Sequence, residues 1–166
     1  MKTIVIGLGN PLLGDDGVGW RIVECVQQVL DAPNSTQTGA DFICLAMGGL
    51  RLMEHLIGYA RAILVDAVNL GKLPPGEIYC LKLADLPEHI TGHTGSAHDT
   101  SLATALQMGR AMGTSLPDEI LVIGVESPYV YEISELLSPQ VEAAIPRAVL
   151  LLKCLLRENN CVTQAI

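Results

Sequence analysis

The stretch Ala62-Ile63-Leu64-Val65-Asp66-Ala67-Val68 decides the fold class. Apolar residues follow one another there without polar alternation, the pattern of a strand buried on both faces. A strand of that kind belongs to a parallel sheet with helices on either side. Upstream, Lys2–Leu8 is a second such run and forms the first strand. Ile22, Val23, Val26, Val29 and Leu30 recur at helical spacing, which predicts a helix over Gly17–Leu30. Asp31–Thr38 is a connection, Ala40–Leu45 a strand, and Gly48–Gly58 a helix carrying Leu52, Leu56 and Ile57. Downstream, Pro74-Pro75-Gly76 turns the chain into Glu77–Leu83, an antiparallel edge strand. Ala84–Ala97 is a long loop of His, Gly, Thr and Pro, followed by a helix over Asp99–Met112. Glu119–Val125 is a further strand and Val141–Leu156 a closing helix. Strands alternating with helices predict an α/β three-layer sandwich, with a twisted, mostly parallel five-stranded sheet between helices. One domain spans 1–157, and 158–166 is a frayed tail.

Composition narrows the function classes. Of 166 residues, 49% are apolar and 17% charged, enough for one core and too few charges for a disordered chain. No apolar run reaches the length of a membrane span. The first residues lack the apolar core and small-residue cleavage site of a signal peptide, so the expected location is the cytoplasm. Ten basic against eighteen acidic residues give a net charge of −8, with the Lys and Arg scattered. Such a chain is repelled by phosphate backbones, and no nucleic-acid partner is expected. The five cysteines (25, 44, 80, 154 and 161) are odd in number and contain no Cys-x-x-Cys pair. They read as small buried hydrophobes kept reduced, with Cys161 a thiol of the polar tail.

In parallel α/β sheets ligands bind at the carboxyl ends of the strands, and three segments carry polar chemistry to that edge. The first is Gly7-Leu8-Gly9-Asn10-Pro11-Leu12-Leu13-Gly14-Asp15-Asp16-Gly17-Val18-Gly19, a glycine-rich loop that ends in two adjacent carboxylates where a helix begins. A structural account has Asp15 cap that helix and Asp16 complement its dipole. Capping needs only one of them, which leaves the other for a site. The second is Asp66, a charge inside the most buried strand. A carboxylate there demands a cation, a metal or strong donors; no basic residue is an obvious mate, and folding would have to bring up Arg61 or Arg51. The third is His98, which opens a helix directly after the long polar loop. His55, His89 and His93 have the character of ordinary surface or structural histidines. Two carboxylates and one imidazole suit a borderline divalent ion that keeps open positions for other ligands.

At these residues the chain resembles the hydrogenase maturation endopeptidases, which remove a C-terminal peptide from the large subunit of nickel–iron hydrogenases. The matching segments are Gly7–Gly19, then Leu64-Val65-Asp66-Ala67, then His98 with Leu102 and Leu106 behind it. Gly124-Val125-Glu126-Ser127-Pro128 and the helix from Ser138-Pro139 also fit, so the likeness runs in order from residue 1 to about 157. It implies a twisted, mostly parallel sheet between helices, and a trio of Asp16, Asp66 and His98 that contacts metal and serves catalysis. It also implies that the metal is nickel already carried by the hydrogenase large-subunit precursor, the enzyme acting as a monomer with no organic cofactor. One departure stands out. Where the family often has an Asp-Gly-Gly-Thr turn, this chain has Met47-Gly48-Gly49-Leu50, without the carboxylate and the hydroxyl.

Three other readings compete. Gly7-Leu8-Gly9-Asn10-Pro11 also opens peptidyl-tRNA hydrolases, but Leu12-Leu13-Gly14-Asp15-Asp16 follows it here and the acidic balance disfavours tRNA. A dinucleotide site lacks its third glycine at position 12, and two carboxylates at the helix mouth would repel a pyrophosphate. A non-enzymatic metal-centre assembly chaperone would use the same trio and differs only in an assay.

Overall fold

In the computed structural model, which describes residues 2–30, 39–86, 101–128 and 133–157, each apolar run becomes a strand of one sheet. The elements are β1 (Thr3–Leu8), α1 (Val18–Leu30), β2 (Ala40–Leu45), α2 (Gly49–Leu56), β3 (Arg61–Val68), β4 (Ile78–Lys82), α3 (Leu102–Ala111), β5 (Glu119–Glu126) and α4 (Pro139–Arg157). The sheet order is β2-β1-β3-β5-β4. β1, β2, β3 and β5 run parallel, and β4 lies antiparallel on β5 at the edge. The α/β class, the mostly parallel five-stranded sheet and the antiparallel edge strand are therefore as expected. Most boundaries moved by a residue or two, and two of the shifts have a plain cause. The helix expected from Asp99 starts at Leu102, with Ser101 as its cap accepting from Thr104 N. The closing helix begins two residues earlier than its apolar pattern, at Pro139, because proline suits a first helical turn. The 158–166 tail lies outside the described residues.

Side-chain alternation along the central strands splits the core into two layers. Val5, Ile63, Val65, Ala67, Leu121, Ile123 and Val125 pack with Ile22, Val23 and Val26 of α1 and Val141, Ala144, Ala148 and Leu152 of α4. Ile4, Ile6, Leu8, Ala62, Leu64, Ile120 and Val122 pack with Leu52, Met53 and Leu56 of α2 and Leu102, Ala105 and Leu106 of α3. Asp66 falls on the strand positions of Ala62 and Leu64, and so shares the α2/α3 face. Among the described residues no helix is long and apolar enough to cross a membrane.

The amino edge of the sheet is closed by polar ties. Arg61 meets Glu119 at 2.6 Å and donates Nη1 to the Leu155 carbonyl at 2.8 Å, holding the last turn of α4. Lys2 lies 2.9 Å from Asp41, whose Oδ2 also accepts from Tyr59 at 2.6 Å. The Tyr59 hydrogen bond first, and Lys2 second, hold the Asp41 carboxyl below its usual 3.8. A depressed carboxyl stabilises the fold above its unfolded value and loses that contribution as the pH falls through its lowered folded value. The gap in urea midpoint between the wild type and Asp41→Asn should therefore be constant near neutral pH and close as the pH drops below 3.8. A gap that widens with acid would contradict this tie.

Candidate functional site

The loop after β1 is shaped by backbone contacts. Asn10 Oδ1 accepts from Leu12 N at 3.0 Å, and Leu13 N donates to the Asn10 carbonyl at 3.0 Å. The chain then makes a 3-10 turn at Gly14–Gly17, which packs against β3. Glycine is required where the backbone passes closest. Gly9 has φ +121°, and a Cβ on it would lie 1.8 Å from the Asp16 carbonyl oxygen. Asp16, 5% exposed, sits in this turn, and its Oδ2 accepts from Asn10 N at 2.6 Å. Asp66, 1% exposed, lies near the carboxyl end of β3, level with Gly124 of β5. The structure thus brings the turn of Asp16 and the strand of Asp66 to the same edge of the sheet. His98 lies outside the described residues, as do His89 and His93, while His55 is exposed on α2. Among the described residues no group of three or more His, Cys, Asp and Glu is gathered as a metal cluster.

Asp15 does not cap α1, contrary to the structural account of the sequence. Its carboxylate, 1% exposed, instead reaches across to the last helix. Oδ1 accepts from Ser138 N at 2.6 Å, and Oδ2 accepts from Ser138 Oγ at 2.9 Å and Ser127 Oγ at 2.7 Å. Ser138 immediately precedes α4, so Asp15 caps that helix from a distance and complements the positive end of its dipole. The neighbouring Ser134 pairs with the same loop, accepting from Gly14 N at 2.6 Å and donating its N–H to the Leu12 carbonyl at 3.1 Å.

Glu126 is a second buried carboxylate that sequence reasoning gave no role of its own. It ends β5 at 2% exposure. Oε1 accepts from Leu70 N at 3.0 Å and Gly71 N at 3.1 Å, and Oε2 from the Tyr79 hydroxyl at 2.7 Å. Burial, and then this hydrogen bond, push the Tyr79 phenol up to about 12. Glu126 thereby pins the segment between β3 and β4 beside the strand of Asp66. The signal that singled out Asp66, an acid at the end of a buried apolar run, was equally present at Glu126.

Arg61 is placed away from Asp66. Arg61 opens β3 at the opposite edge, engaged with Glu119 and Leu155, and Arg51 is exposed on α2. The Met47–Leu50 turn keeps its glycines in special conformations, Gly48 extended and Gly49 at φ +56°. With no acid or hydroxyl in the turn, the N-terminus of α2 has no side-chain cap. The described cysteines are free thiols; Cys25, Cys44 and Cys80 are half-buried and Cys154 is exposed, so the fully buried environment expected for them is not found. Burial chiefly raises the Cys44 thiol to about 11, which leaves little thiolate for nucleophilic work at neutral pH.

The chain is similar to known proteins along nearly its whole length. The family model of hydrogenase maturation proteases (HycI) matches residues 21–153, a span that holds Asp66 and His98 and begins after Asp16. The hydrogenase 2 maturation protease of Escherichia coli is 33% identical over 163 residues, covering 96% of this chain and 93% of that protein. The hydrogenase expression/formation protein HoxM of Cupriavidus necator is 28% identical over 151 residues, covering 89% of this chain and 70% of its own length. Among solved structures, the hydrogenase maturating endopeptidase HybD from E. coli superposes with a TM-score of 0.74 at 28% identity, over 95% of this chain and 93% of that one.

Proposed function

The chain belongs to the hydrogenase maturation protease family, and from that premise we propose that it removes the C-terminal peptide of a nickel-loaded hydrogenase large-subunit precursor. In this reading Asp16, Asp66 and His98 meet the nickel that the precursor carries. The enzyme then senses the maturity of its substrate and needs no resident metal. Family membership replaces the peptidyl-tRNA hydrolase and dinucleotide-binding readings, and a protease family replaces a purely non-enzymatic chaperone.

The observation that carries the reading is that the turn of Asp16 packs on the strand of Asp66 at one sheet edge, both carboxylates being buried. Asp15 and Glu126 are each committed to three donors of the chain itself. Asp16 stands in the turn after β1 and Asp66 near the end of β3, where the two elements pack together. Hard carboxylate oxygens with an imidazole suit a divalent ion that keeps other ligands. Hydrolysis adds a water oxygen to the scissile carbonyl carbon, breaks the C–N bond and delivers a proton to the departing amine. Two routes supply the activation: nickel polarises the carbonyl or the water, or Asp16 or Asp66 takes the water's proton as general base. Free thiols and a net charge of −8 support a reducing, cytoplasmic setting and an enzyme that acts as a monomer between encounters.

The test is to present nickel-loaded and nickel-free precursor separately and follow loss of the C-terminal peptide by mass spectrometry. Cleavage of the loaded form alone is the expected result. Equal rates on both forms would remove nickel sensing from the proposal, and cleavage of neither would remove the substrate.

A further inference from the structure

The turn that carries Asp16 is linked to the strand that carries Asp66 by a short relay of hydrogen bonds. Asp15 Oδ2 accepts from Ser127 Oγ at 2.7 Å, and Ser127 N donates to the Val68 carbonyl at 2.8 Å. Val68 stands two positions after Asp66 on β3. On its other side Asp15 is held by the backbone N–H of Ser138 at 2.6 Å and by the Ser138 hydroxyl. From this we infer that Asp15 is a positioning residue whose clamp sets the separation and orientation of Asp16 relative to Asp66. The inference rests on the proposed reading of those two carboxylates as the groups that meet the precursor's nickel.

The local geometry explains why two acids stand side by side. In a 3-10 turn successive side chains project about 120° apart, at about three residues per turn. Within Gly14–Gly17, Asp15 therefore points back to β5 and α4, while Asp16 turns toward Asn10. Rotation of the turn about its axis would move both together. Three hydrogen bonds on Asp15, from Ser127 just after β5 and Ser138 just before α4, oppose that rotation. The Gly9 contact limits translation of the same turn, since its Cα packs against the Asp16 carbonyl. A reacting group is useful only within about 0.5 Å of its productive position, and about 1 Å of misplacement costs on the order of 100-fold in rate. Asp15 thus acts on the reaction through Asp16, without touching substrate.

The experiment compares Asp15→Asn with Leu155→Ala in the full chain. Asparagine keeps the shape of the side chain and removes the charge that draws the Ser127 and Ser138 donors. Leu155→Ala truncates the core at the far edge of the sheet and serves as a control matched for lost urea midpoint. With nickel-loaded precursor, Asp15→Asn should lower kcat about tenfold or more, with KM within about twofold of wild type. It should also weaken the binding of added Ni2+ measured by calorimetry, whereas Leu155→Ala leaves kcat and Ni2+ binding within about twofold. If Asp15→Asn does not fold, Ser127→Ala takes its place, since it cuts the relay at the next link. Loss of kcat no greater than in the stability-matched control would overturn the positioning role. Asp16→Ala separates the two levels: an active Asp16→Ala defeats the underlying site reading, whereas an inactive one beside a fully active Asp15→Asn defeats the positioning role alone.

Discussion

Asp16→Ala should process nickel-loaded precursor at least on the order of 100-fold more slowly than the wild type, a greater loss than its fall in unfolding midpoint explains. The two halves of this expectation come from different chemistry. Removing the carboxylate withdraws a metal-contacting or proton-accepting group, and proton transfer by a positioned side chain alone contributes rate factors of about 100 to 10,000. The hydrogen bond to Asn10 contributes little by comparison. Asp16 Oδ2 accepts from Asn10 N, which belongs to a partly exposed residue that water can reach. Such a bond is worth roughly 1 kcal/mol, and relief of a buried charge offsets part of that. A carboxylate kept for folding would show the reverse profile, a large loss of stability and a proportionate loss of activity. Processing by Asp16→Ala within about tenfold of wild type would show that the chemistry lies elsewhere.

The contrast between Asp15 and Asp16 also marks where sequence reasoning stopped. β3 was legible because a strand buried on both faces needs an unbroken apolar run, and Ala62–Val65 supplies one. Asp66 was legible for the same reason in reverse, since a charge in that run must be accounted for. β4 was legible as an edge because Pro74-Pro75-Gly76 forces the chain to turn. The destination of Asp15 was not legible. Its partners lie 112 and 123 residues further along the chain, and no local pattern encodes a pairing at that separation. A single sequence shows that two acids are adjacent but not which one reaches across to Ser127 and Ser138. Glu126 was missed for a related reason. Its duty is to backbone N–H groups of Leu70 and Gly71, and backbone donors leave no residue-type signature. His98 owes its place to the family resemblance, and its position lies outside the described residues.

Gly19→Ala should destabilise the protein by about 3 kcal/mol or more, although alanine is the better helix former. At an exposed site within a helix the exchange would stabilise by up to about 1 kcal/mol. Here α1 lies so close to the sheet that a Cβ on Gly19 would fall 2.3 Å from the Val65 carbonyl oxygen and 2.4 Å from that of Leu8. Both obstacles are backbone, and both belong to β1 and β3, central strands flanked by neighbours on either side. Neither can recede without breaking ladder hydrogen bonds, so α1 must lift. Lifting it loosens Val18, Ile22, Val23 and Val26, each fully buried, and drags the adjoining Gly14–Gly17 turn. Asp16 and Asp15 travel with that turn, so processing should fall along with the urea midpoint. Gly109 in α3 supplies the comparison. Its added Cβ would meet the Met53 sulfur at 2.5 Å and Leu116 Cδ1 at 2.9 Å, both ends of flexible side chains. Those groups can swing aside, so Gly109→Ala should cost far less and leave processing intact. Equal midpoints for the two variants, or a Gly19→Ala protein as stable as the wild type, would mean that α1 does not need its close seat on β1 and β3.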